Sequence, residues 1–423
     1  MAKILLAVVV IIGFVSLAEL SYAHHGGGYH GGGYHGGGYH GEGYHGEGHH
    51  GGGCNGEGHQ GGSSTGGTTP GAPPTSSSSV ETKSMDQLYA DAKKEGCKAI
   101  VYAGGDVPGQ QDYYKNLFEQ KFKGCTLEMI VDYSKFHDAR INYQLQNNKL
   151  IPDVVQLQTL QDFPIWKNQN RLMSYKPKDW DVIVKEYKDP DGYFLPIFFS
   201  HFTNCVNNKL MKDPKTWPTN IKDYLKPELK GHIVLTYPND DDAVLFLFKL
   251  FIDKYGWGFF EELNAKQNVT WVRGTEEPSV ALAENRTWAA IAAGCDFNNP
   301  PGVSTFVLPK SDPFMTWAQT AAIFKDAKNP ATAKLYLNWI ISADVQRNNL
   351  GSWSIRTDVP PPKPYGPLSS YKSQTNPMDF KTFMENRAAV EDLKTKMMLI
   401  IGEPKGPASP GNLGMYPTKA LPH

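Results

Sequence analysis

The chain has 423 residues, 40% hydrophobic and 20% charged, and its nine Trp and twenty Phe supply enough apolar material for substantial cores. Its 42 Lys and Arg nearly cancel 43 Asp and Glu, for a formal net charge of −1. That balance, without any basic run interleaved with aromatics, excludes a polyanion groove and with it a nucleic-acid partner.

Residues 1–23 read as a signal peptide: Lys3, an apolar stretch from Ile4 to Leu17, then Ser21, Tyr22 and Ala23 at the cleavage end. The stretch falls short of the ~20 apolar residues that span a bilayer. The expectation is a secreted protein, extracellular or held at a cell wall. Residues 24–62 form a Gly/His/Tyr-rich repeat in which His30, His35, His40 and His45 recur every five residues, followed by His49 and His50. So much glycine and no apolar face predict a disordered tail. Neutral imidazoles ligate Zn, Cu or Ni, so weak binding of a divalent metal is one reading; a hydrated spacer attached to a cell-wall or surface component is the other. No further cofactor is implied. The tract resembles the glycine-rich secreted wall proteins of eukaryotes. Residues 63–84, rich in Ser, Thr, Pro and Gly, are a linker.

The remainder suffices for two lobes: the first from 85 to 197 and again from 303 to 362, the second from 198 to 302. Apolar runs at 99–103, 127–131 and 153–157 read as strands. Tyr114, Leu117, Phe118 and Phe122 form a helical stripe between the first two, and Ile141 and Leu145 mark a helix after the second. Strand starts 25–28 residues apart with helices between imply parallel pairing. Ligands in such sheets sit beyond the carboxyl ends of the strands. In lobe two, 233–237 is a strand, 243–255 a helix apolar enough to be buried on most sides, and 288–293 and 304–308 are strands. An amphipathic helix covers 331–346, and the extension 363–423 carries one helix around 380–398.

Four segments carry a resemblance: Tyr102-Ala103-Gly104-Gly105-Asp106, Pro152-Asp153-Val154-Val155-Gln156, Leu229 to Leu235, and Pro330 to Leu337. In order and spacing they are similar to the type 2 periplasmic solute-binding proteins of ABC importers, nearest to the ferric-iron and small-solute branch. The resemblance implies an α/β, two-lobed type 2 periplasmic-binding-protein-like fold with hinge strands at 195–207 and 292–308, preceded by the disordered tail. It implies closure of the lobes on a small-molecule or ion ligand. Ferric binders of this class place two adjacent tyrosines where this chain has Gly294-Cys295-Asp296, which removes the phenolates a hard Fe(III) site needs.

The candidate ligand residues lie in the strand-end loops. Gly104, Gly105 and Asp106 end the first strand, His137 and Arg140 follow the second, and Gln158 and Thr159 end the third. Asp240, Asp241 and Asp242 precede a helix; at least one is a cap, and another is free to face a cation. Arg273 and Thr275 occupy a lobe-two loop, where Arg273 either clamps an anion or bridges the lobes. Asp296, Phe297 and Trp317 complete the set. Three acids at one turn favour a cationic, amine-containing or metal-chelated solute.

Of five cysteines, Cys97 and Cys125 precede neighbouring strands, which favours a disulfide over two buried thiols. Cys205 and Cys295 either pair at the crossings or leave a free thiol at the cleft, and Cys54 is left over. The expected function is solute binding without chemistry, since hydrolase and phosphate-loop motifs are missing. The alternatives are an enzyme of the same fold using Cys295 as nucleophile and a wall-associated metal binder acting through its tail. The sequons at Asn268 and Asn285 read as N-glycosylation sites in a eukaryotic secretory route, and a permease partner is left open.

Overall fold

The computed structural model describes residues 78–422 except 294, 296–303, 349–351 and 409. The leader, the histidine repeat with its metal-ligand candidates, Cys54 and most of the linker lie outside the described residues. Among the described residues no helix is long and apolar enough to cross a membrane.

Lobe one opens with α1 (Met85–Glu95), started by a capping box in which Ser84 and Gln87 satisfy each other's backbone N–H groups. The strands β1 (Lys98–Gly104), β2 (Thr126–Asp132) and β3 (Val154–Leu157) alternate with α2 (Asp112–Lys121) and α3 (Ser134–Gln146), with α4 (Asp162–Asn168) following β3. β1 pairs in parallel with both β2 and β3. Its period of two sends Val101 and Ala103 to a core shared with α1 and α2, and Tyr102 to a second core shared with α3 and α4. The sheet is thus buried on both faces, which is why its strands read as nearly unbroken apolar runs.

The 13-residue strand β4 (Leu195–Asn207) joins the lobes. Residues 195–202 pair with β9 (Met315–Ile323) of lobe one, while 203–207 pair with β7 (Ala289–Ala293) and β8 (Ser304–Val307) of lobe two. The ladder order is β2-β1-β3-β9-β4-β7-β5-β6, with β8 also on β4; β5 is Ile233–Thr236 and β6 Thr270–Val272. The forward crossing is the one expected at 195–207. The return crossing runs on past 308 and is completed by β9, which the sequence reading left out. In lobe two, α5 (Asp242–Tyr255) and α6 (Trp257–Lys266) pack Phe248, Phe251 and Phe260 around Leu235 and Ile291, and α7 (Glu277–Ala283) follows β6.

After α8 (Pro330–Ile340) and α9 (Ala343–Asn348) the extension forms two helices rather than one. These are α10 (Pro377–Glu385) and α11 (Arg387–Ile401), separated at Asn386, whose side chain caps the second. Phe380, Met384, Val390 and Met397 join the lobe-two core. The chain then passes from lobe two to lobe one as a strap. Asn239 donates to Gly402 O (3.0 Å) and Arg273 to Gly406 O (3.3 Å); farther on, Arg140 donates to Gly414 O (2.7 Å), Gln144 to Met415 O (2.7 Å) and the Tyr102 hydroxyl to Pro417 O (2.8 Å).

Both cysteine pairs are bonded, with Cα separations of 4.5 Å for Cys97–Cys125 and 6.2 Å for Cys205–Cys295. With its sulfur in a disulfide, Cys295 offers no thiolate for the enzymatic alternative.

Candidate functional site

Between the lobes lies a cavity of about 180 Å³. Lobe one contributes the ends of its parallel strands: Gly104, Gly105 and Asp106 after β1, Tyr133 and Ser134 after β2, and Gln158 after β3. A Cβ at Gly105 would meet Val131 Cγ1 at 2.7 Å, and one at Gly104 would strike Ser134 Oγ, so a larger residue at either position would require those side chains to move. Lobe two contributes Asp241, Thr275 and Glu276, and the crossing strands add residues 198–202, Trp317 and Gln319. Tyr114 stacks on Phe198 with ring centroids 6.3 Å apart, and Phe202 packs on Trp317 at 4.9 Å. The walls are therefore largely aromatic.

The lobes touch directly around this cavity. Thr275 donates from its N–H (2.9 Å) and its hydroxyl to Asp106. Gln158 donates to Asp241 (3.0 Å), and Lys135 of α3 donates to the Asp240 carboxylate (2.8 Å). Gly274 makes the approach possible: its φ is +78°, and a Cβ there would stand 3.4 Å from Asp106 Cβ.

The three consecutive acids divide their work. Asp241 caps α5, accepting from the N–H groups of Ala243 (2.8 Å) and Val244 (2.9 Å), and it alone of the three lines the cavity. Asp240 takes the fork of Arg273 (2.8 and 3.0 Å); burial opposes its charge, but Arg273 and Lys135 hold the carboxyl below its ordinary range. Asp242 is likewise held low, against burial, by Lys394 and Arg387 of α11. Two of the three acids thus have cations supplied by the chain itself.

Arg273 is therefore paired within lobe two, with Asp240, and is not among the residues that line the cavity. His137 and Arg140 also leave the cavity. His137 Nδ1 accepts from Arg140 (2.9 Å), its Nε2–H donates to Ile130 O (3.0 Å), and its ring stacks on Tyr102; burial and then Arg140 keep it neutral. Arg140 pairs with Asp132 at 2.7 Å. This polar stripe of α3 serves the strap. Thr159 is buried in the turn that opens α4 and is not among the lining residues. Asp296 and Phe297 lie outside the described residues.

Three carboxyls line the cavity, and burial raises all of them. Asp106 is pushed up to about 6, by burial and then by Asp241. Asp241 is raised by burial. Glu276 goes furthest, to about 9, through burial and then the charges of Asp106 and Glu277. Glu276 is 8% exposed, and its Oε1 has no hydrogen-bond partner among the described residues. The described lining contains no Lys or Arg, and His201 is pushed down to about 4 by burial and is neutral. Among the described residues no three His, Cys, Asp or Glu side chains are grouped to hold a metal ion.

Glu276, Tyr133, Gln319 and the aromatic run of β4 are among the lining residues that the sequence does not single out as ligand candidates. The sequence marks the run at 198–202 only as part of a hinge strand. Glu276 follows Thr275 directly in the same loop, with Glu277 and Pro278 opening the next helix.

Residues 104–347 match the family model described as bacterial extracellular solute-binding protein. The fold is similar to that of iron-bound HitA from Pseudomonas aeruginosa, with a TM-score of 0.55 and 15% identity over 71% of this chain and 99% of that one. It is also similar to the periplasmic binding protein AfuA from Actinobacillus pleuropneumoniae with fructose-6-phosphate bound (0.54, 18% identity, 72% and 98%). A third likeness is to a protein from Listeria monocytogenes described as a spermidine/putrescine ABC transporter (0.52, 14% identity, 72% and 99%). No curated protein matches the sequence.

Proposed function

The chain belongs to the bacterial extracellular solute-binding protein family, and from that premise we propose that it is an exported receptor whose lobes close on a small amine-bearing cation. The observation that carries the reading is the lining. Three carboxyls and six aromatic rings surround a small cavity with no Lys or Arg among its described residues. Carboxylates and ring faces attract an ammonium, while the same walls repel a phosphate or carboxylate. Of the similar structures, one is described as a spermidine/putrescine transporter, solutes of this chemistry; the sugar phosphate bound to AfuA is of the opposite charge.

Thermal melting of the full chain with putrescine, spermidine, fructose 6-phosphate and ferric citrate tests this. An amine at about 100 times its Kd adds about 2.7 kcal/mol and raises the melting temperature. Stabilisation by the phosphate or by iron, with none from either amine, would overturn the reading.

A further inference from the structure

Glu276 stands out among the groups that face the cavity because nothing in the described protein uses it. Asp106 already accepts from Thr275, and Asp241 from the start of α5 and from Gln158. The cations of this region are taken too: Lys135 and Arg273 both serve Asp240. Glu276 has only a buried carboxyl, one oxygen of which meets no donor. A buried carboxylate left so is strongly disfavoured against the neutral acid, so the group by itself keeps its proton.

We propose that Glu276 is the counter-ion of the bound solute's ammonium and that it takes up the ammonium in exchange for a proton. The inference rests on the amine reading above. The step is balanced: Glu276–COOH and R–NH₃⁺ give the ion pair Glu276–COO⁻ with R–NH₃⁺ and one H⁺ released to solvent. The groups facing Glu276 bear this out. Asp106 from the end of β1 and Glu277 beside it raise its proton affinity. Asp241 at the α5 cap adds negative charge to the cavity, and Tyr133, Tyr114 and His201 are neutral at physiological pH. A bound cation reverses that field and expels the proton. Affinity therefore depends on pH, and acid releases the cargo.

The test is calorimetry of putrescine binding to the full chain in phosphate and in Tris, whose ionisation enthalpies differ. The wild type should release about one proton per ligand near pH 7, and Kd should weaken about tenfold per pH unit of acidification. Glu276→Gln should abolish the proton release and flatten the pH profile while weakening binding about tenfold; Glu276→Asp should restore the exchange. Putrescine binding to the wild type without proton release, or equally to E276Q, overturns this inference and leaves the amine reading standing. Failure of putrescine and spermidine to bind at any pH overturns both.

Discussion

A carboxyl without a partner in the interior is a cost the unliganded protein carries at Glu276, and its sign with pH follows from linkage. The group's proton affinity is higher in the folded than in the unfolded chain, so its contribution to stability is full below about pH 4.5 and is lost as pH rises toward about 9. His201 works in the other direction. Its pKa falls to about 4 on folding, so stability is lost as pH drops from about 6.5 through about 4. Melting of the unliganded wild type and of Glu276→Gln across this range should show the variant gaining on the wild type above neutrality and the two converging near pH 5. Parallel curves would mean that Glu276 is solvated. The Glu-Glu-Pro run is visible in the sequence but has the pattern of an ordinary exposed helix start, so nothing in it announces that Glu276 is buried against the cavity.

Among the elements, the parallel strands were the most legible. β1, β2 and β3 are buried on both faces and spaced by helices, so composition and period agreed on them. β9 was not legible: Thr316, Gln319 and Thr320 interrupt its apolar run, yet the whole strand is buried because β3 and β4 flank it. The polar stripe of α3 misled in the opposite way. His137 and Arg140 looked available for a ligand, but Arg140, with Gln144 beside it, donates to backbone more than 270 residues later in the chain, and His137 is held between Ile130 O and Arg140. Of the strand-end loop positions, 104–106 and 158 line the cavity, whereas His137, Arg140 and Thr159 do not; of the lobe-two positions, Asp241 and Thr275 line it, while Asp240, Asp242 and Arg273 are paired with Lys135, with each other or with α11. The α3–α5 contact gives a test of closure. Lys135 lies outside the cavity lining and reaches Asp240 across the lobes. A partly exposed ion pair contributes up to about 1 kcal/mol, so Lys135→Ala should weaken putrescine binding roughly fivefold and enlarge the radius of gyration of the liganded protein in X-ray scattering. Unchanged scattering and affinity would show that the pair does not favour the closed form.

At the scale of the whole molecule, lobe one is stapled internally and the two lobes are joined three times: by β4, by the β8–β9 return and by the strap. Cys97 and Cys125 are 28 positions apart, so the loss of that loop closure in Cys97→Ser/Cys125→Ser should cost about 3 kcal/mol in denaturant unfolding. Ending the chain after Ile401 strips Arg140, Gln144 and Tyr102 of buried carbonyl partners at Gly414, Met415 and Pro417. The truncated protein should melt at lower temperature, with lobe one's amides losing hydrogen-exchange protection first. Uniform loss over both lobes would argue that the two unfold as one.

The strap also sets a leash. Eight Cα-to-Cα steps run from its hold on lobe two at Gly406 to its hold on lobe one at Gly414, and fully stretched they reach at most about 29 Å. A fluorescent protein fused behind His423 would ride on this tether, and its distance from a donor placed on lobe two would read out how far the jaws have swung. Shortening the tether by two or three residues would hold the gape narrow.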